Sequence, residues 1–165
     1  MYFNKQNLLV SIDIDGTIAN VGSRFINCPP PEGKGRGDIE YELWLDEVQR
    51  PEVLMQDKPV MGMQQFVSCF PNAVYVTSRH EKLRKITEEW LRLHNFPELP
   101  LLMRNNTIES SATLKSRLIK EYLDSYCIEN VSVIICDDDP LGNIENMCHK
   151  NKWVFLKSRS GGAVL

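Results

Sequence analysis

Asp13 and Asp15 stand two residues apart at the end of the apolar run Leu8-Leu9-Val10-Ser11-Ile12, and Gly16-Thr17 follow at once. Side chains at i and i+2 share one side of a strand, roughly 6–7 Å apart along it, so the string presents two carboxylates together at a strand end. A glycine next in line permits a tight turn whose amides are free to face an anion, which makes Gly16 and Thr17 candidate phosphate contacts. A second apolar run, residues 131–136, passes directly into Asp137-Asp138-Asp139. Asp139 is accounted for as a helix cap ahead of Pro140. Asp137 and Asp138 are oxygen donors of the kind a hard cation such as Mg²⁺ takes. Four carboxylates gathered in one crevice repel one another or demand counter-charge. A divalent cation supplies part of it, and Lys115, near the start of a helix whose apolar stripes other residues occupy, is the candidate for the rest. Thr77 ends the run Val74-Tyr75-Val76, with Ser78 and Arg79 beyond it. A hydroxyl followed by amides at a helix N-terminus is a natural phosphate site.

These residues need a scaffold that brings distant strand ends together. Residues 8–14, 73–77, 99–103, 131–136 and 152–156 read as short buried strands, each parted from the next by a helical pattern or turn residues. Ser78 with Glu81 forms a possible capping box before Leu83, Ile86, Trp90 and Leu93. A second helix carries Leu114, Leu118 and Tyr122, and a third starts at Asp139-Pro140 with Ile144, Met147 and Cys148 inward. Strands alternating with helices predict an α/β protein with a parallel sheet covered on both faces. The 165 residues suit a single domain, 1–165. Residues 19–59 break the alternation with Pro29-Pro30-Pro31 and the glycine-spaced Gly33-Lys34-Gly35-Arg36-Gly37. They read as a small irregular cap insertion beside the crevice of an open α/β sheet. Arg24, Lys34, Arg36, Arg79 and Arg104 are expected on its rim, where they would grip a neighbouring phosphate. Tyr41 and Trp44 are candidates to stack on a base, although packing the insertion down is the commoner task of such aromatics.

Composition narrows the classes further. Nineteen basic against 22 acidic residues leave a net charge of −3, which disfavours a passive nucleic-acid coat. There is no apolar run of membrane-spanning length and no signal-peptide pattern at the start. The five cysteines include no C-x-x-C pair, which fits a reducing, cytoplasmic setting. The glycine-rich stretch does not match G-x-x-x-x-G-K-[ST], so a P-loop kinase is excluded. A receiver domain would place its lysine after the phosphorylated Asp on the last strand, whereas Lys115 precedes Asp137.

D-x-D-G-T after a first strand, a strand-ending Thr, a helix-borne Lys and a strand-ending D-D together resemble the haloacid-dehalogenase-like phosphohydrolases. Within that superfamily the chain is most similar to the phosphatase domain of polynucleotide kinase-phosphatases and their stand-alone phage and bacterial relatives. That likeness rests on Ile18-Ala19-Asn20 with Arg24, Gly35-Arg36-Gly37, Thr77-Ser78-Arg79, Leu101-Leu102-Met103-Arg104 and Cys136-Asp137-Asp138. The chain departs from it at Ser78, where relatives carry Gly, at Asp139, where Arg is common, and in residues 105–113. The resemblance implies a Rossmann-like three-layer sandwich with strand order 5-4-1-2-3. It implies Asp13 as nucleophile, Asp15 as general acid/base, and Thr77 with Lys115 on the phosphoryl group. Asp13, Asp15, Asp137 and Asp138 would surround Mg²⁺, while Gly16, Thr17, Ser78, Arg79, Arg24, Arg36 and Arg104 would contact substrate. The expected activity is hydrolysis of a terminal phosphate on a nucleotide or nucleic acid, a 3′-phosphate first, without an obligate protein partner. A small-molecule phosphatase or a non-catalytic metal- or nucleic-acid-binding relative is the alternative.

Overall fold

The computed structural model describes residues 8–105 and 108–158. The chain opens with β1 (Leu8–Ile12), β2 (Ala19–Asn20), α1 (Gly22–Asn27), α2 (Ile39–Val48), α3 (Pro51–Leu54) and β3 (Lys58–Pro59). It continues through α4 (Met63–Ser68), β4 (Ala73–His80), α5 (Arg84–Leu93) and β5 (Leu101–Arg104). It closes with α6 (Ser111–Ser125), β6 (Ser132–Asp137), α7 (Asn143–Asn151) and β7 (Val154–Lys157). Five strands form one parallel sheet in the order β5-β4-β1-β6-β7. Counted among themselves in chain order and read from the β7 edge, these strands run 5-4-1-2-3, as expected.

Alternation along the strands divides the interior into two layers, because successive side chains point to opposite faces. Val10, Ile12, Ala73 and Tyr75 meet Leu83, Trp90, Leu91 and Phe96 on the α5 side. Leu9, Val74, Val76, Val133 and Ile135 meet Leu114, Leu118, Ile119, Ile144 and Met147 on the α6–α7 side. β1, covered on both faces, is the near-continuous apolar run that a central parallel strand requires. All five strands point the same way, so Asp13 just after β1, Thr77 in β4 and Asp137 at the end of β6 reach one edge of the sheet.

Residues 19–59 leave and rejoin that edge through an antiparallel ribbon that pairs Ala19 with Pro59 and Asn20 with Lys58. Between its arms lie three short helices that the proline and glycine pattern does not predict. The triple proline and the spaced glycines stay outside them, in the connection from α1 to α2. Trp44 packs the insertion together, its Nε1 donating to Cys28 O at 2.8 Å. Trp90 Nε1 on α5 donates to Asp57 O at 3.0 Å and ties the insertion to the sheet layer.

Strand ends differ from expectation by up to three residues, and two boundaries bear on the site. β4 runs on to His80, so Ser78 is a strand residue, and the His80 ring accepts from Lys82 N to cap the 3₁₀ turn Glu81–Leu83 ahead of α5. α7 begins at Asn143 rather than at Asp139-Pro140. Asp139 still serves its first turn, with Oδ2 accepting from Glu145 N at 2.9 Å across the intervening loop. Among the described residues, no helix is long and apolar enough to cross a membrane.

Candidate active site

Lys115 is buried, and its ammonium lies between two carboxylates, 2.6 Å from Asp13 Oδ1 and 2.5 Å from Asp137 Oδ2. The helix accounts for this placement. Ser110 caps α6 by accepting from Thr113 N, and Lys115 projects from the next turn toward the strand ends while Leu114 and Leu118 pack on the sheet. Asp13, Asp137 and Asp138 each bring a carboxylate oxygen within 4.8 Å of the others. Burial pushes the Asp13 carboxyl well above its usual range, Lys115 pulls it back, and Asp137 and Asp15 push it further up. Asp138 rises to about 6, through burial and then through the charge on Asp137. Three crowded carboxylates, two resisting ionisation, with one lysine between them are an all-oxygen donor set of the kind Mg²⁺ takes, so Asp13, Asp137 and Asp138 fit that ion.

Asp15 is held differently. Arg79 grips it in a fork, Nε to Oδ2 at 2.9 Å and Nη2 to Oδ1 at 2.7 Å, and Arg24 Nη2 reaches Oδ1 at 2.5 Å. Burial alone would raise its pKa; the two guanidinium groups overcome that and hold the carboxyl well below the usual range. Arg24 also donates Nε to Asp57 Oδ1 at 2.9 Å and Nη1 to Val48 O at 3.1 Å. The Arg79 Nη1 donates to Thr87 Oγ1. Asp15, Asp57, Arg24 and Arg79 thus form a charge-balanced group beneath the cleft, and Asp15 alone of the four reaches its surface, a quarter exposed.

The expectation of a basic rim is corrected here. Arg24, Arg79 and Arg104 are buried, not displayed to a ligand. Arg104 donates to Ser78 O and Glu109 O and braces the end of β4. Arg36 is partly exposed but bonded to Glu42 Oε2 at 3.1 Å, and it does not line the cleft. Gly16 and Thr17 are also re-assigned. Their amides donate to Ala19 O and Ile14 O, closing the turn instead of facing an anion. Gly16 is required for another reason. It has φ +86°, and a Cβ there would lie 2.3 Å from Asp138 Oδ2, so its missing side chain makes room for a candidate metal ligand. Thr17 is fully buried, its hydroxyl 3.5 Å from Asp13 Oδ2.

Thr77 and Ser78 do border the cleft, a space of about 400 Å³ floored by Asp13, Asp15, Lys115, Asp137 and Asp138. Thr77 Oγ1 accepts from Arg79 N at 3.2 Å, and Ser78 Oγ donates to Ser111 Oγ at 2.9 Å. Two helix N-termini border this space, that of α6 through Ser110, Ser111 and Ala112 and that of α7 through Asn143 and Ile144. Sequence reasoning passed over the α6 residues, although Ser110 three residues ahead of Thr113 is a recognisable cap signal. Phe25 and Tyr41 from the insertion, with Pro140 and Leu141 from the loop before α7, complete the walls. Trp44 stands behind Tyr41 and Phe25, outside the lining.

No family model and no curated protein matches the chain. Among solved structures it is similar to chains of a Pnkp1/Rnl/Hen1 complex and of the Pnkp1/Rnl/Hen1 RNA repair complex. The TM-score is 0.61 in both cases, with 16% and 15% identity over 93% of this chain. The match covers 46% and 43% of those chains, so this chain spans less than half of their length. At that identity the likeness establishes a shared fold.

Proposed function

We propose that this chain is a Mg²⁺-dependent phosphomonoester hydrolase of the haloacid-dehalogenase-like kind, acting on the terminal phosphate of a nucleotide or nucleic acid, a 3′-phosphate first. The observation that carries the reading is Lys115 pinned between Asp13 and Asp137, with Asp138 beside them, at the C-terminal edge of a parallel sheet. In such a site an Asp13 oxygen forms a bond to phosphorus as the ester P–O bond breaks, and the departing oxygen takes a proton through Asp15, which must first gain it from solvent because its arginines hold it anionic at rest. Water then attacks the aspartyl-phosphate, gives its proton to Asp15, and frees Asp13 and inorganic phosphate. Lys115 stays protonated throughout and offsets charge on the transferring group. Held by Asp13, Asp137 and Asp138, Mg²⁺ would supply Lewis-acid stabilisation of the phosphoryl oxygens. The two arginines keep Asp15 anionic at rest, so its role as base runs with the local field and its role as acid against it.

Two observations support a polymer end. The neighbours of similar fold belong to complexes that include an RNA repair assembly. A groove of about 980 Å³ between α6 and α7 also shares Ser110, Ala112 and Asn143 with the cleft and carries Lys120 and Lys150 beside Glu121 and Asp124. The deciding experiment measures phosphate release from 3′- and 5′-phosphorylated oligonucleotides and from mononucleotides, with Mg²⁺ and with chelator, over a salt series. Release only with Mg²⁺, fastest from the 3′-phosphorylated oligonucleotide, is the expected result. Three groove cations, Lys120, Lys150 and Arg117, at about 0.7 per single-strand phosphate predict a log–log salt slope no steeper than roughly −2.1. Full turnover in chelator removes the metal, and an oligonucleotide no better than a mononucleotide at low salt removes the polymer.

A further inference from the structure

We propose that the nucleobase next to the scissile phosphate is held by stacking against Tyr41 and Phe25, which makes these two residues the substrate-recognition surface of the cleft. The inference rests on the hydrolase reading and adds what the rest of the substrate must be. The floor of the cleft is charged, but its walls are not: Val21, Phe25 and Tyr41 enter from the insertion, and Pro140 and Leu141 from the loop before α7. Leu141 is 81% exposed and Phe25 37%, so apolar surface is displayed at the mouth of a site built for an anion. A phosphate needs none of it; a planar ring attached to the phosphate does. With Arg24, Arg79 and Arg104 buried on protein partners, the cleft offers no guanidinium fork to the next phosphodiester among the described residues.

The rings are held ready. Tyr41 and Phe25 pack on Trp44 at centroid distances of 5.2 and 5.7 Å, and Trp44 is fixed by its bond to Cys28 O. Arg36, bonded to Glu42, lies over the Tyr41 ring at 6.0 Å. Aromatic walls fixed before the ligand arrives lose little freedom on binding, which is the condition for stacking to yield affinity. Stacking tolerates any base, since every base has a π-face. The ligand class is therefore a nucleoside phosphate, free or terminal in a chain, read by its ring and not by its sequence.

The test compares a nucleoside 3′-monophosphate with ribose 3-phosphate, which lacks the base, in wild type and in Tyr41→Ala, Tyr41→Phe and Phe25→Ala, each checked for an intact thermal transition. Fluorescence quenching of a 2-aminopurine nucleoside 3′-monophosphate on Asp13→Asn, with and without each ring substitution, reads stacking apart from turnover. In wild type the base should raise kcat/KM about ten- to hundredfold. Tyr41→Ala should bring the ratio within about threefold of unity and abolish quenching, Phe25→Ala should reduce both, and Tyr41→Phe should retain them. If both compounds are hydrolysed equally well by wild type, stacking is overturned and the hydrolase stands. A preference that survives both alanine substitutions places base recognition elsewhere and likewise overturns it. If neither compound nor a 3′- or 5′-phosphorylated oligonucleotide is hydrolysed, the hydrolase reading falls. Quenching that depends on Tyr41 then sustains a nucleotide-binding slot, and absence of quenching ends it.

Discussion

At the scale of single residues, the consequential pairing is one ammonium shared by two buried carboxylates. Removing either side has opposite structural effects. Lys115→Ala leaves Asp13 and Asp137 facing each other without compensation, a change of the kind that destabilises by about 3–5 kcal/mol. Its melting temperature in chelator should fall well below wild type, and Mg²⁺ should recover more of that loss than it adds to wild type. Asp13→Asn keeps an acceptor for Lys115 and removes a crowded charge, so it should melt at or above the wild-type temperature while showing no turnover. Calorimetry with a phosphate-release assay on both variants checks the pair, and a stable, active Asp13→Asn would place the nucleophile elsewhere. Gly16→Ala is the subtler probe. Its Cβ would fall within 2.3 Å of Asp138 Oδ2 on a backbone at φ +86°. The variant should lose about 1–3 kcal/mol of stability and bind Mg²⁺ at least tenfold more weakly, read by titration calorimetry. The carboxylates and the lysine were legible in the sequence, because burying Asp at the end of an apolar strand is costly unless a cation or a reaction uses the charge. The amide directions at Gly16 were not, since a turn can close on itself or open to a ligand with the same residues.

At the scale of elements, Arg24 joins three pieces of the insertion and the loop after β1. From α1 it reaches Val48 at the end of α2, Asp57 before β3 and Asp15. A lysine cannot reproduce this fork, being a single point charge on a flexible stem. Arg24→Lys should accelerate amide exchange across α1 and α2, leave β5 and β7 protected, and lower kcat at least tenfold by disturbing one of the three hydrogen bonds that clamp Asp15. Uniform exchange behaviour in the two proteins would separate the insertion from the clamp. The same residue shows where sequence reading stopped. Arg24 and Asp57 are 33 positions apart in a segment rich in proline and glycine, so nothing local marks them as a buried pair, and a solvated rim was the simpler reading. α1 and α2 were hidden for a related reason: α1 is short, α2 is weakly amphipathic, and both are held by Trp44 and Arg24, not by a continuous apolar stripe. The sheet strands, by contrast, were readable within one to three residues at most ends, because burial on both faces leaves the inner strands little choice of residue type; β7, read as a buried strand, is instead a mostly exposed edge.

At the scale of the whole molecule, the charges predict how stability follows pH. Burial raises Asp138 and Asp57 from 3.8 to about 6. Between those values the folded chain binds more protons than the unfolded one, so metal-free stability should decline as pH rises from about 4 to 6. Asp15, lowered by its arginines, contributes stability above its free value that is lost as the solution becomes more acid. A metal ion needs Asp138 ionised, so its contribution should weaken as pH falls through about 6. Melting curves from pH 4 to 8 should therefore show an acid optimum in chelator that moves toward neutrality with Mg²⁺; coincident curves would remove the metal from this site. The ribbon at the base of the insertion carries a consequence of another sort. Asn20 and Lys58 are paired neighbours, so everything between them enters and leaves the sheet edge through one doorway. Lengthening, shortening or exchanging that module alters no strand register and no crossover. A lineage, or an engineer, is free to re-specify the ligand by trading one cassette, provided the replacement brings its own cation to Asp15, refills the place of Leu54 in the α5-side core and offers Trp90 a new acceptor.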